Sequence, residues 1–295
     1  MSFFLTISFF LNLFILPIMC LSQEAAKLGE IKLPQAMIYD KKQKCFFVAY
    51  LAGDPTKKNE KSYISKLSED FKKVLDPFFC KKLNNPQSIA LTRVYLVVAD
   101  QGSVRFFDRK SGFEKKQIIF GELPHSLISD LVYDGFRFIY ACDMFNNALI
   151  RIDLRRHMES TVMDQGPWID FPKRMIYNNS QDTLFVGTYQ KGSVYEFNPK
   201  EKTQKTIIKY GPFPLSGMAI DKDFHFYLSS DKASSKLIQV SPEKRYTILQ
   251  QKSFSPSNIY IHPDQTKLFL LSKKDHIIKM IDLKKDDELK DFDEK

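Results

Sequence analysis

The stretch Ile128–Leu154, ISDLVYDGFRFIYACDMFNNALIRIDL, holds three strand-like runs in close succession. Ser129 to Asp134 is a short apolar run closed by an acidic turn residue, and RFIYAC, which follows at once, is almost continuously apolar. A run of that kind is what a strand buried on both faces requires. ALIRID then alternates apolar with polar residues, the mark of a strand with one wetter face.

The same succession recurs on either side. Opening strands stand at Gln35 to Asp40, Gln87 to Thr92, Ser129 to Asp134, Lys173 to Asn178, Ser216 to Asp221 and Ser257 to His262, their starts 41 to 52 residues apart. Second strands follow as CFFVAY, VYLVVA, RFIYAC, TLFVGT, HFYLSS and KLFLLS, and third strands as SYISKL, SVRFFD, ALIRID, SVYEFN, KLIQVS and IIKMID. A more polar fourth strand closes most units, as in KKQIIF at Lys115 to Phe120 and KTIIKY at Lys205 to Tyr210. Units of four strands at this period predict an all-β chain folded as a six-bladed β-propeller of four-stranded blades. The sixth unit has no fourth strand of its own. LGEIKL, Leu28 to Leu33, is expected to complete that last blade as an N-terminal strand and so remove an exposed sheet edge.

The flanking segments differ from the repeats. Phe3 to Leu21 carries no charge and Cys20-Leu21-Ser22 offers small residues to a signal peptidase, so residues 1–22 are read as a signal peptide, with a retained membrane anchor as the alternative. Met19 is too large for the usual lipobox ahead of Cys20. The propeller is assigned to 23–285, and the acidic end 286–295 to a solvated tail. A secreted or periplasmic monomer is expected, with no membrane partner after signal cleavage. Cys45, Cys80 and Cys142 remain, an odd number without CxxC spacing, and read as buried thiols, although a Cys45–Cys80 bridge stays open. The formal charge of +9 is spread over loops and strand ends, which argues for a basic solvated surface and against nucleic acid as a partner.

LPQAMIYD, YISKL, NNPQSIAL, YLVVADQGSVRFFDRKSG, FPKRMIYN, LSGMAID and the 128–154 stretch together resemble the senescence-marker-protein and gluconolactonase group of six-bladed propellers, with related NHL-repeat and royal-jelly proteins. The resemblance spans roughly Leu33 to Leu283 and is similar in particular to exported bacterial members of the group. It implies the propeller fold. For the hydrolases of the group it also implies a divalent metal held by Glu in blade one, Asn in blades three and four and Asp in blade five. The residues at those places here are Gln35, Ser129, Lys173 and Ser216. An ammonium group opposes a cation in the same space, so the resemblance points to a lost metal site.

In a propeller the first strands line the central tunnel, and equivalent positions of the six repeats nominate Gln35, Gln87, Ser129, Lys173, Ser216 and Ser257 as its lining, with Asp130 and Arg174 beside them. A shift of one residue in register would change which of these side chains point inward. Lys173, with Arg174, is expected to face an anionic group of a small ligand that Gln35, Gln87 and the serines orient by hydrogen bonds. Asp100 and Asp143 end second strands and are expected to cap nearby turns. Neither GxSxG, HExxH, a phosphate-cradling GxxxxGK[ST] nor a cysteine pair at zinc spacing occurs. The function expected is a ligand-binding or interaction module without catalytic residues, metal or other cofactor. The alternatives are a sugar-lactone or ester hydrolase, which would need calcium or zinc, and a scaffold that docks an unknown protein on its blade rims.

Overall fold

The computed structural model describes residues 33–283, apart from 123, 210–213, 231–235 and 251–253. It is built almost wholly of strands: five antiparallel four-stranded sheets and one of three strands, each in simple up-and-down order. Blade one comprises Pro34–Asp40, Cys45–Tyr50, Ser62–Ser68 and Val74–Leu83. The first strands of the next five blades are Pro86–Leu91, Ile128–Tyr133, Pro172–Asn178, Gly217–Ile220 and Asn258–Ile261. These six strands stand side by side around the axis, each touching the first strand of the next blade, with blade six returning to blade one. The six-bladed propeller is therefore closed. The segments read as signal peptide, closing strand LGEIKL and acidic tail lie, apart from Leu33, outside the described residues.

The apolar second strands explain why the ring holds. Cys45–Tyr50 and Thr183–Thr188 are buried along their whole length, because each blade packs a neighbour on both faces. Six hydrophobic clusters result, one for each blade-to-blade seam. The seam between blades six and one is aromatic: Phe46 lies 5.3 Å from Phe269 and 4.5 Å from Phe71, ring centre to ring centre. The hydroxyl of Tyr260 accepts a hydrogen bond from the Tyr39 amide at 3.0 Å across this seam. Blade six thus joins blade one through side chains as well as through any strand pairing. All three cysteines are free and buried, Cys45 and Cys80 in the first seam and Cys142 in the third. Burial pushes the Cys45 thiol up to about 11, which keeps it a small inert hydrophobe at neutral pH.

A buried clamp ties the first two blades on the far side of the molecule. Arg109 donates from Nε and Nη2 to the two carboxylate oxygens of Asp40, at 2.6 and 2.5 Å, and from Nη1 to the Thr92 carbonyl at 2.7 Å. Burial of Asp40 opposes its ionisation, but Arg109 and the Gln43 amide together hold its carboxyl below the usual range.

Candidate functional site

The axis of the ring is where the repeat positions converge, and a local irregularity decides which side chains meet there. In blades one to four the pairing of first and second strands skips one residue. Pro34 faces Tyr50 and Ala36 faces Ala49; Pro86 faces Asp100 and Ser88 faces Ala99. Ile128 faces Asp143 and Asp130 faces Cys142; Pro172 faces Thr188 and Arg174 faces Gly187. The extra residues are Gln35, Gln87, Ser129 and Lys173, so each of these nominated tunnel residues is a β-bulge. A bulge re-aims the side chains around it.

The consequence is that Arg174 carries the contacts across the hub. From blade four its guanidinium donates to the Ser216 carbonyl of blade five at 2.6 Å, the Ser257 carbonyl of blade six at 3.2 Å and the Ser129 carbonyl of blade three at 3.3 Å. Its planar fork of donors suits three acceptors on three strands in a way that a lysine could not match. Asp130 supplies the opposite charge. Its carboxylate accepts the Met175 amide at 2.7 Å and the Leu131 amide at 2.9 Å, and also bonds the Ser88 hydroxyl. Burial pushes the Asp130 carboxyl above its ordinary range, with the Arg174 charge and these hydrogen bonds pulling the other way.

The other nominated residues are buried as well, except Lys173. Ser129 Oγ donates to the Pro172 carbonyl at 2.7 Å and Ser257 Oγ to the Leu271 carbonyl at 3.0 Å, so both hydroxyls brace backbone. Gln87 Nε2 donates to Asn85 Oδ1 at 2.6 Å. Ser216 is 1 % exposed, and Gly217 after it has no side chain for a reason: a Cβ there would lie 2.5 Å from Ser229 Oγ and 2.9 Å from the Ile259 amide nitrogen. Lys173 is half-buried. Gln35 is 1 % exposed, and its Nε2 has no hydrogen-bond partner among the described residues. The alignment missed Asn258, which stands at the place of Asp130 in blade six and donates to the Gln35 carbonyl at 2.9 Å. Its signal was available, since Ser257-Asn258 repeats Ser129-Asp130.

The fit of a divalent cation can be tested on these donors. Such an ion needs several oxygen ligands with net negative charge. Here the carbonyl oxygens of Ser129, Ser216 and Ser257 already accept from a guanidinium, and the one carboxylate nearby is matched by that same charge. No group of three or more His, Cys, Asp or Glu side chains among the described residues is placed to hold a metal. The residues at the hub do not fit the metal of the lactonases.

Above the hub the strand-end aspartates act as caps. Asp100 accepts the amides of Asn84 and Asn85 at 2.9 and 2.7 Å and pairs with Arg105 Nη1 at 2.9 Å. Asp143 accepts the Ser126 hydroxyl at 2.8 Å and the Asn146 side-chain amide at 2.8 Å. Trp168 packs between blades, stacked 5.6 Å from Phe197.

No family model and no curated protein matches the chain. Solved structures do. A nutrient binding protein from Bacteroides thetaiotaomicron superposes with a TM-score of 0.66 at 11% identity, covering 85% of this chain and 69% of its own. A luciferin-regenerating enzyme gives 0.64 at 11% identity, with 88% and 94% covered. A candidate 6-phosphogluconolactonase from Bacteroides fragilis gives 0.60 at 12% identity, with 84% and 80% covered. Likeness at this level of identity shows the propeller fold alone, since one fold hosts many activities.

Proposed function

We propose that this protein is an exported binding module, not a metal-dependent hydrolase, and that the mouth of its central tunnel takes a small anionic ligand. The observation that carries this reading is the buried, unpartnered Nε2 of Gln35 beside a hub crossed by a guanidinium. A buried N–H without an acceptor is costly, and an oxygen of a carboxylate or phosphate satisfies it where a cation cannot. Lys173, at the equivalent bulge of blade four on the other side of the ring, carries a positive charge of the sign that an anion calls for. The nutrient binding protein among the structural neighbours is in keeping with a binding role.

A thermal-shift screen of the full chain against small mono- and dicarboxylates and phosphates tests the proposal, because a ligand that binds only the folded state raises its midpoint. At least one anion is expected to raise the midpoint in the parent, and Lys173→Glu and Gln35→Leu are each expected to abolish that rise. A rise that both variants retain would refute the hub as the site. The lactone-hydrolase reading shares the fold of the candidate lactonase neighbour. It requires chelator-sensitive cleavage of a sugar lactone, which the proposal predicts will not be found.

A further inference from the structure

We infer that the outer rim of blade one carries a second, separate binding site, a cleft of about 610 Å³ shaped for an acidic saccharide. Clefts that hold small ligands span roughly 300–1,000 Å³. This one is lined by Ala52, Glu60, Lys61, Tyr63, Phe78 and Lys81 among others, all from the third and fourth strands of blade one and the loop that leads into the third. That loop, residues 51–61, is where blade one breaks the repeat: at the same place blade two has only Gln101 and Gly102. A long connection in a compact domain is a common carrier of function.

The walls are fixed before any ligand arrives. Asn84 Oδ1 accepts the amides of Asn59 and Glu60 at 3.0 and 3.1 Å, and Ser62 Oγ donates to the Asn84 carbonyl at 2.8 Å. Asn59 Nδ2 donates to the Asp54 carbonyl at 2.7 Å, closing the loop on itself. On the other wall the Lys82 carbonyl accepts Arg105 Nη1 at 2.6 Å, and that arginine is held by Glu114 at 2.9 and 2.7 Å. Binding here would order little chain, which favours affinity.

The chemistry of the lining selects the ligand. Phe78 is 49 % exposed and stands edge-on to Tyr63, ring centres 4.9 Å apart, so one open aromatic face is offered. The negative face of an aromatic ring attracts the weakly positive C–H groups of a sugar ring. Lys61, Lys81 and Lys82 are exposed and take part in no ion pair among the described residues. They demand an anion. Glu60, the one acid of the lining, can only accept hydrogen bonds, and so calls for hydroxyl donors on the same ligand. An aromatic acid would satisfy the ring and the lysines but give Glu60 nothing. A sugar bearing carboxylate or sulfate groups satisfies all three.

The test is calorimetric titration of the full chain with an oligouronate, a sulfated oligosaccharide of the same length and the neutral oligosaccharide. One or both acidic sugars are expected to bind, with the neutral one weaker by about tenfold or more, and the arm that binds identifies the anion as carboxylate or sulfate. Phe78→Ala and Lys81→Glu are each expected to weaken binding about tenfold or more, Lys81→Glu with the unfolding midpoint unchanged. Lys173→Glu at the hub is expected to leave this binding intact, which separates the rim from the tunnel. Absence of binding by both acidic sugars, equal binding of the neutral one, or indifference to both rim variants would overturn the assignment.

Discussion

At the hub, the buried side chains of Arg174 and Asp130 bond to backbone groups of other blades, whereas at the rim of blade one Lys61, Lys81 and Lys82 are exposed and take part in no ion pair among the described residues. The two regions show what each kind of burial is for. A guanidinium that satisfies the carbonyls of Ser129, Ser216 and Ser257 holds three blades at one spacing, and its loss leaves acceptors and the Asp130 carboxylate stranded. A lysine in solvent contributes little to stability and is free to meet a ligand. Substitutions of the hub's buried Arg174 should therefore be read out in folding, and substitutions at the rim in binding.

The largest expected effect tests that division at its stronger end. Arg174→Leu should destabilise the fold by roughly 3–5 kcal/mol, because the buried Asp130 charge loses its partner. In a domain of this size that corresponds to a fall of roughly ten degrees in the thermal midpoint. Arg174→Lys should recover only part of the loss, since an ammonium keeps the charge but cannot fork to three strands. Recovery to the parent value would mean that charge alone matters at the hub.

A smaller effect is expected at an ion pair of intermediate exposure, Arg137 with Asp153 in blade three. The Arg137 guanidinium donates to both Asp153 oxygens, at 2.9 and 2.5 Å, and holds the carboxyl down to about 2. The folded carboxyl is thus more acidic than the unfolded one, so the stability it contributes is complete above about pH 4 and is lost as the pH falls toward 2. Arg137→Met should lower stability only slightly at neutral pH and flatten this acid limb in denaturant titrations. The smallest effect belongs to the rim: Lys81→Glu should leave the unfolding midpoint essentially unchanged, as an exposed lysine with no ion pair among the described residues has little to lose.

The contrast also explains what was legible in the sequence. Repetition revealed the ring, since buried second strands such as CFFVAY and TLFVGT must be apolar in every blade. It also picked out Gln35, Gln87, Ser129 and Lys173, which stand at equivalent positions of four first strands. What repetition could not show is that each of these is a bulge, because a bulge lies in the pairing between strands and leaves no mark in the spacing of one strand. Hence the bonds that cross the hub come from Arg174, the residue after the bulged Lys173. The cleft on blade one escaped for the opposite reason. Its loop, residues 51–61, has no counterpart in the tight turn of blade two, and a search for what recurs passes over such a loop. The signal was there in AGDPTKKNEK, a charged insertion where blade two makes a tight turn.

Calcium and zinc titrated calorimetrically into the chelator-stripped full chain put the account to its plainest trial. If the guanidinium of Arg174 takes the cation's place between the carbonyls, neither ion should show a saturable one-to-one heat. Stoichiometric uptake of either, lost on adding chelator and accompanied by cleavage of a sugar lactone, would contradict it.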